Sequence, residues 1–277
     1  KKNKKKKKKK KERIMTKQFI ENKLGNKINY DPNGKRYRYY VDNEPKSSVT
    51  TVINKRTRPD LQNWYKKNRD DSIKEIMLED NQPLDKINAF INEVKQRAEK
   101  KESFGRDIGS QLHDWIDIFF KSKKEPVLPE SEPLRTMAQK WLKFWKSQKF
   151  KVVASELPLY SSKFDCCGTN DVIVTKDSWN GQNAVLDWKT SKDYSFEQAI
   201  QVEMYRRFIE ETTDFKIQKL AVVNIPKEPQ KEVSMYIIKL DEKYFKGFKA
   251  MKYIDKLESE FNADLKKWKK ENKKNAK

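Results

Sequence analysis

From residue 103 onward the apolar positions change period several times, and each change predicts an element. Ile108, Leu112, Trp115, Ile116 and Phe119 recur at helical spacing, which predicts a helix over 104–121. Leu134, Ala138, Trp141, Leu142 and Trp145 predict a second helix with a core-facing side. The pattern then shortens to strand-like runs at 151–160, 166–174 and 184–190, with Asn180-Gly181 as the turn between the last two. Phe196, Ile200, Met204 and Phe208 form the expected buried stripe of a helix over 195–211. Two more strands, 217–225 and 233–240, precede a long helix from about Asp241. Phe248, Met251, Ile254, Leu257, Phe261, Leu265 and Trp268 give that helix an apolar seam. Three consecutive strands predict an antiparallel meander, and the following helix predicts a crossover to a further strand. The fold class is α/β with a mixed, α+β type central sheet flanked by helices and an N-terminal helical extension.

The N-terminal third reads differently. Residues 1–14 are a polylysine tail whose self-repulsion predicts disorder. Residues 15–102 read as a hairpin region and a helical cover, and 103–277 as the main domain. Asp31-Pro-Asn-Gly34 is a turn signal, and 35–41 interleaves Arg36 and Arg38 with Tyr37, Tyr39 and Tyr40. Such a strand can stack bases and meet phosphates, and it equally suits an ordinary exposed strand. A helix is expected from Asp60, carrying Trp64, and a second charged helix over 84–101. Pro126, Pro129 and Pro133 mark a linker over 121–133.

Charge narrows the partners. The net charge is +22, and ten lysines in the first eleven residues leave about +12 on the remainder. A basic excess outside the tail points to a polyanion, nucleic acid before membrane, since no basic amphipathic helix stands out. No apolar run approaches the roughly 18 residues of a membrane span. The N-terminus lacks the apolar stretch of a secretory signal. Cys166 and Cys167 are adjacent, so they cannot staple the fold or make a structural zinc site, and an intracellular, reducing setting is expected.

The candidate chemistry lies on the second and third core strands. Gly168-Thr-Asn-Asp171 is followed sixteen residues later by Asp187-Trp-Lys189. Alternation puts Val185, Asp187 and Lys189 on one face, and Leu186 and Trp188 on the other. A half-buried acid and base side by side cost free energy unless paired or holding a metal. The simplest site has Asp171 and Asp187 binding Mg²⁺ or Mn²⁺ while Lys189 steadies a nucleophile or an oxyanion. Gly105, Gly109 and His113, the one histidine, are four residues apart on one helix stripe. Two helical glycines cost roughly 1 kcal/mol each against alanine, so the stripe suits a close approach. Gln201 and Tyr205 share a stripe beside the buried one of their helix.

These residues, taken in order, resemble the PD-(D/E)XK nuclease superfamily in its RecB-type branch. The family's helix histidine falls on His113, its Gly-x-x-Asp aspartate on Asp171, its Asp-x-Lys on Asp187 and Lys189, and its Gln-x-x-x-Tyr on Gln201 and Tyr205. Ser47-Ser-Val-Thr50 before a Trp-containing helix, with the run 186–191, is most similar to the mitochondrial genome maintenance exonuclease and its phage-type relatives. Asn170 stands where the superfamily name places proline. With two cysteines, the four-cysteine CRISPR-associated relatives fit less well.

The resemblance implies a restriction-endonuclease-like core and a deoxyribonuclease, an exonuclease on single-stranded DNA ends in replication, repair or processing. It implies Mg²⁺ or Mn²⁺ held by Asp171, Asp187, His113 and the Trp188 carbonyl, with Glu156 as a further candidate ligand. Lys189 would orient water or neutralise developing charge. Ser48, Thr50, Gln201 and Tyr205 would contact the substrate or support the site, and other replication or repair proteins are expected partners. A cytoplasmic setting follows for a bacterial or phage source, a mitochondrial one for a eukaryotic source. A structure-specific endonuclease, an inactive nucleic-acid binder and a packaging protein are the competing readings.

Overall fold

The computed structural model describes residues 18–21, 25–31, 38–55, 59–79, 82–122, 125–191 and 193–274. The polylysine tail and most of the turn expected at 31–34 lie outside these residues, as do Arg36 and Tyr37. The centre is a five-stranded sheet in the order β5 (Lys151–Ser161), β6 (Cys166–Thr175), β7 (Asn183–Lys189), β8 (Ile217–Asn224), β9 (Ser234–Ile238). β5, β6 and β7 form the antiparallel meander, β8 runs parallel to β7, and β9 returns antiparallel. The parallel step requires a crossover, supplied by α5 (Phe196–Thr212). Asn180 and Gly181, at φ 51° and 75°, take the left-handed conformations that the turn before β7 needs.

Helices cover both faces of this mixed sheet. On one face, Ile173, Val185 and Val222 meet α5, the start of α6 (Glu242–Lys274) and the short α1 (Val49–Asn54). On the other, Val172, Val174, Leu186 and Trp188 meet α3 (Leu84–Lys121) and α4 (Leu134–Gln148). The second face is aromatic. Trp141 of α4 stacks on Trp145 at 5.4 Å and meets Trp188 of β7 edge-on at 5.7 Å. Anchoring Trp188 into this cluster fixes which way its neighbours Asp187 and Lys189 face.

Several expectations change. Residues 47–51 open a helix: Ser48 caps α1 by accepting the Thr51 N–H at 3.1 Å. Val49, Val52 and Ile53 are buried in the core, so this stretch of the expected cover is part of it. The two helices expected at 84–101 and 104–121 are one, α3, which crosses the boundary expected at 102–103. The helix before it, α2 (Pro59–Glu79), packs on α3. The expected hairpin region is a four-stranded antiparallel sheet of β1 (Gln18–Glu21), β2 (Lys27–Tyr30), β3 (Tyr39–Val41) and β4 (Glu44–Lys46). It packs Ile28, Tyr39 and Val41 against Tyr160 and Cys167 of the central sheet. Phe196 is exposed rather than part of the buried stripe of α5. The seam of α6 is docked only near its start, where Phe248 is buried and Met251 half-buried.

Candidate functional site

The site forms where β6 and β7 part. Their backbone pairing runs to Val172↔Leu186 and stops, although β6 starts six residues earlier and β7 continues to Lys189. There the Asp171 side chain takes the place of a backbone partner. Its Oδ2 accepts the Trp188 N–H at 2.6 Å. The opening leaves Asp171 and Asp187 side by side at the C-terminal end of β7.

α3 brings the imidazole. His113 Nδ1 lies 3.5 Å from Asp171 Oδ1, and Nε2 lies 3.1 Å from the Trp188 carbonyl oxygen. That carbonyl, expected to be a metal ligand, is therefore engaged by the ring. The glycine stripe does permit a close approach: a Cβ on Gly109 would stand 3.0 Å from Thr190 Oγ1, just past the end of β7.

β5 brings a second carboxylate by an unusual route. Glu156 has φ 46°, a left-handed conformation in mid-strand that costs a residue with a Cβ about 1–2 kcal/mol. Its flanking pairs, Ser155↔Val172 and Leu157↔Asn170, place it opposite Asp171. One ligand atom each from His113, Glu156 and Asp171 lies within 4.8 Å of the others. Strain of this kind concentrates where a side chain must be aimed.

Asp187 stands outside that three-residue group. Its Oδ2 lies 2.5 Å from Lys189 Nζ, and its Oδ1 accepts the Gln201 amide at 3.1 Å. The same amide donates to the Tyr205 hydroxyl at 3.0 Å. Gln201 and Tyr205 thus act on Asp187 from α5. Gly168 makes room for them, because a Cβ there would meet Tyr205 Cε1 at 2.5 Å. Capping of α5 by Ser195 and Gln198, which bond each other's backbone N–H, sets the start of that helix.

Burial and mutual charge set the protonation states. Burial alone would make His113 less basic, but the adjacent Asp171 carboxylate reverses this and lifts it to about 8. Burial also works against ionised Asp171, yet His113, then Lys189 and the Trp188 N–H, hold it below the usual carboxylate range. Glu156 is pushed up to about 8 by burial and by Asp171. Burial and the Asp171 charge push Asp187 up to about 6, against the pull of Lys189. Lys189 is half-buried, and its desolvation favours the neutral form, but Asp187 and Asp171 raise it overall. Asp171 thus raises both carboxyl groups beside it and both cationic groups, so negative charge is crowded around it.

Ser48 and Thr50 are near but occupied. Ser48 Oγ caps α1 and lies 2.8 Å from Thr50 Oγ1, while its backbone bridges to Cys167, next to Gly168. A contact that the sequence did not signal joins the small sheet to the site: Tyr39 OH lies 3.0 Å from Thr169 Oγ1, two residues from Asp171. Among the described residues no helix is long and apolar enough to cross a membrane.

No family model matches the chain, and no curated protein does. Among solved structures, a candidate exonuclease from Eubacterium rectale aligns at 13% identity over 55% of this chain and 65% of its own, with a TM-score of 0.36. The protein SSO0001 aligns at 17% identity over 42% of this chain and 56% of its own, with a TM-score of 0.27. The aligned part of the chain spans less than two thirds of either protein's length, and likenesses of this size carry no assignment.

Proposed function

We propose that this protein is a metal-dependent nuclease of the PD-(D/E)XK type, in the RecB branch, which hydrolyses phosphodiester bonds at the ends of single-stranded DNA. The observation that carries the reading is the gathering of His113, Glu156 and Asp171 within 4.8 Å, beside the Asp187–Lys189 pair. The donor set fits the metal. Two carboxylates and an imidazole suit Mn²⁺, and the carboxylates alone suit Mg²⁺, which keeps several waters. His113, Glu156 and Asp171 would hold the ion, and Asp187 would join them as the fourth protein ligand. Bound there, a divalent cation polarises the scissile phosphate and acidifies a water.

The chain's own residues do the rest. Lys189 places a positive charge where negative charge develops on the phosphate. Gln201, braced by Tyr205, holds Asp187 in place while the Lys189 ammonium moves between carboxylate and phosphate. The Asp171 carboxylate keeps the His113 ring oriented. Ser48 and Thr50 would turn their hydroxyls to a backbone phosphate once a strand enters. The helices before residue 103 would form a cover through which a free end threads, which would favour exonuclease action. Intracellular DNA in replication or repair is the setting this chemistry serves.

The test compares a linear, end-labelled single strand with the same sequence closed into a circle, in Mg²⁺, in Mn²⁺ and in EDTA. Metal-dependent loss of the linear strand with survival of the circle is expected. Cutting of the circle at a similar rate would make the protein an endonuclease. Binding without cutting in either metal would leave an inactive binder or a packaging protein.

A further inference from the structure

We propose that Tyr30 and Arg38 form a phosphate subsite at the mouth of the candidate site, holding a single strand beside the bond that is cut. The inference rests on the nuclease reading and assigns it a second point of contact with the strand. Both residues belong to the small N-terminal sheet or its margin. The core-facing side of that sheet starts apolar and ends polar. Ile28 and Val41 oppose each other and are buried, and the next pair on this side, Tyr30 and Tyr39, closes the row. The two rings lie 4.9 Å apart, tilted by 36°. Phenylalanine would fill the same space, so packing alone does not call for the hydroxyls.

Both hydroxyls point toward the site. Tyr39 OH lies 3.0 Å from Thr169 Oγ1, and Thr169 precedes Asp171 on β6 by two residues, about 7 Å along a strand. Tyr30 is only half-buried, and β2 packs on β5, the strand of Glu156. Its hydroxyl lies within the field of Glu156 and of Asp114, the residue after His113 on α3. Arg38 stands one residue before β3. The Asp31 N–H donates to its carbonyl at 2.7 Å, which keeps Arg38 across from Asp31 and diagonal to Tyr30. Its guanidinium donates to the Tyr30 hydroxyl. Burial keeps the proton on that hydroxyl, against the pull of Arg38, so it remains a donor. Arg38 is exposed, and among the described residues no carboxylate pairs with its side chain.

The donors choose the occupant. A guanidinium fork and a hydroxyl proton side by side suit two oxygens of one phosphate. A small free anion is opposed there by the nearby charges of Asp114 and Asp171. A nucleic-acid strand is already drawn to the chain by its net charge of +22, so its contact with Arg38 is made intramolecularly. The subsite also gives the small sheet a task. Tyr39 on Thr169 ties the position of Arg38 and Tyr30 to the strand that carries Asp171, so both contacts with the nucleic acid share one frame.

Fluorescence anisotropy of a labelled single-stranded DNA with the full chain, in EDTA and over a range of salt concentrations, reads the contact without cutting. Arg38→Gln should weaken binding about tenfold and lower the slope of log affinity against log salt by about 0.7, the share of one phosphate contact on a single strand. Tyr30→Phe should weaken binding roughly fivefold with the slope unchanged. Lys151→Gln, at the start of β5 where Lys151 pairs with Asp177, should change neither. All three variants should keep the thermal transition of the parent. Parent-like binding by Arg38→Gln or by Tyr30→Phe overturns the subsite, as does an equal loss from Lys151→Gln, which would mark general charge. The predicted shifts in a protein that never cuts would uphold the phosphate contact and refute the nuclease reading, whereas metal-dependent cutting without them would overturn the subsite alone.

Discussion

Replacing Gly168 with alanine probes how closely the strand carrying Asp171 is packed. The new Cβ would stand 2.5 Å from Cε1 and 3.2 Å from Cδ1 of Tyr205. Carbon atoms in contact prefer about 3.5–4.0 Å, so the ring must retreat by about 1 Å. Tyr205 is only 4% exposed, and its hydroxyl is tied to Gln201, which in turn holds Asp187. The ring therefore moves only by disturbing core neighbours and loosening the grip on Asp187. Overpacking of this kind costs roughly 1–3 kcal/mol. Urea denaturation should show a lower midpoint with an unchanged slope. Tyr205→Leu removes the offending ring. The double variant should then lose less than the two single losses added, by a coupling on the order of 1 kcal/mol. A Gly168→Ala protein within about 0.3 kcal/mol of the parent, or strict additivity with Tyr205→Leu, would refute the argument.

Two further outcomes follow from the same contacts. His113 holds its proton to about 8 in the fold, against roughly 6.5 when unfolded, so its contribution is complete below the lower value and lost as pH rises through the higher. Glu156, held protonated to about 8 against an ordinary value of 4.5, loses stability over the longer rise between those two values, which includes the His113 interval, whereas depressed Asp171 matters only in acid. Melting in EDTA should therefore weaken between pH ~6.5 and 8, and the stabilisation by Mg²⁺ or Mn²⁺ should grow across that interval; a flat profile in both would contradict this. Trp141→Ala, which empties the centre of the aromatic cluster behind Trp188, should cost about 3–5 kcal/mol in urea, and a loss under 1 kcal/mol would show that the cluster does not anchor β7.

What was legible in the sequence follows from pattern length. Alternation over 184–190 places Val185 in one core and Leu186 and Trp188 in the other, as the structure has them. The meander and its crossover were equally readable, because each strand is bounded by a turn or a long helix. α1 was not readable: Val-Thr-Thr-Val-Ile is β-branched, and only the Ser48 cap and burial against the sheet make it helical. The continuity of α3 was hidden by a polar stretch around 97–103 that has no apolar marker and a glycine at its end. The left-handed backbone of Glu156 leaves no signal, since that conformation is imposed by tertiary contacts and not by residue type. It is also what brings Glu156 to His113 and Asp171, so the fullness of the carboxylate cluster could not be read from spacing.

The most direct measurement is cleavage of an end-labelled single strand by the parent protein and by Lys189→Ala, each in Mg²⁺, Mn²⁺ and EDTA, with folding of both checked by thermal melting. Cutting by the parent that needs the metal and falls by at least about 100-fold in a folded Lys189→Ala protein is the predicted result. Equal cutting by both proteins, or cutting that persists in EDTA, would contradict the site described here.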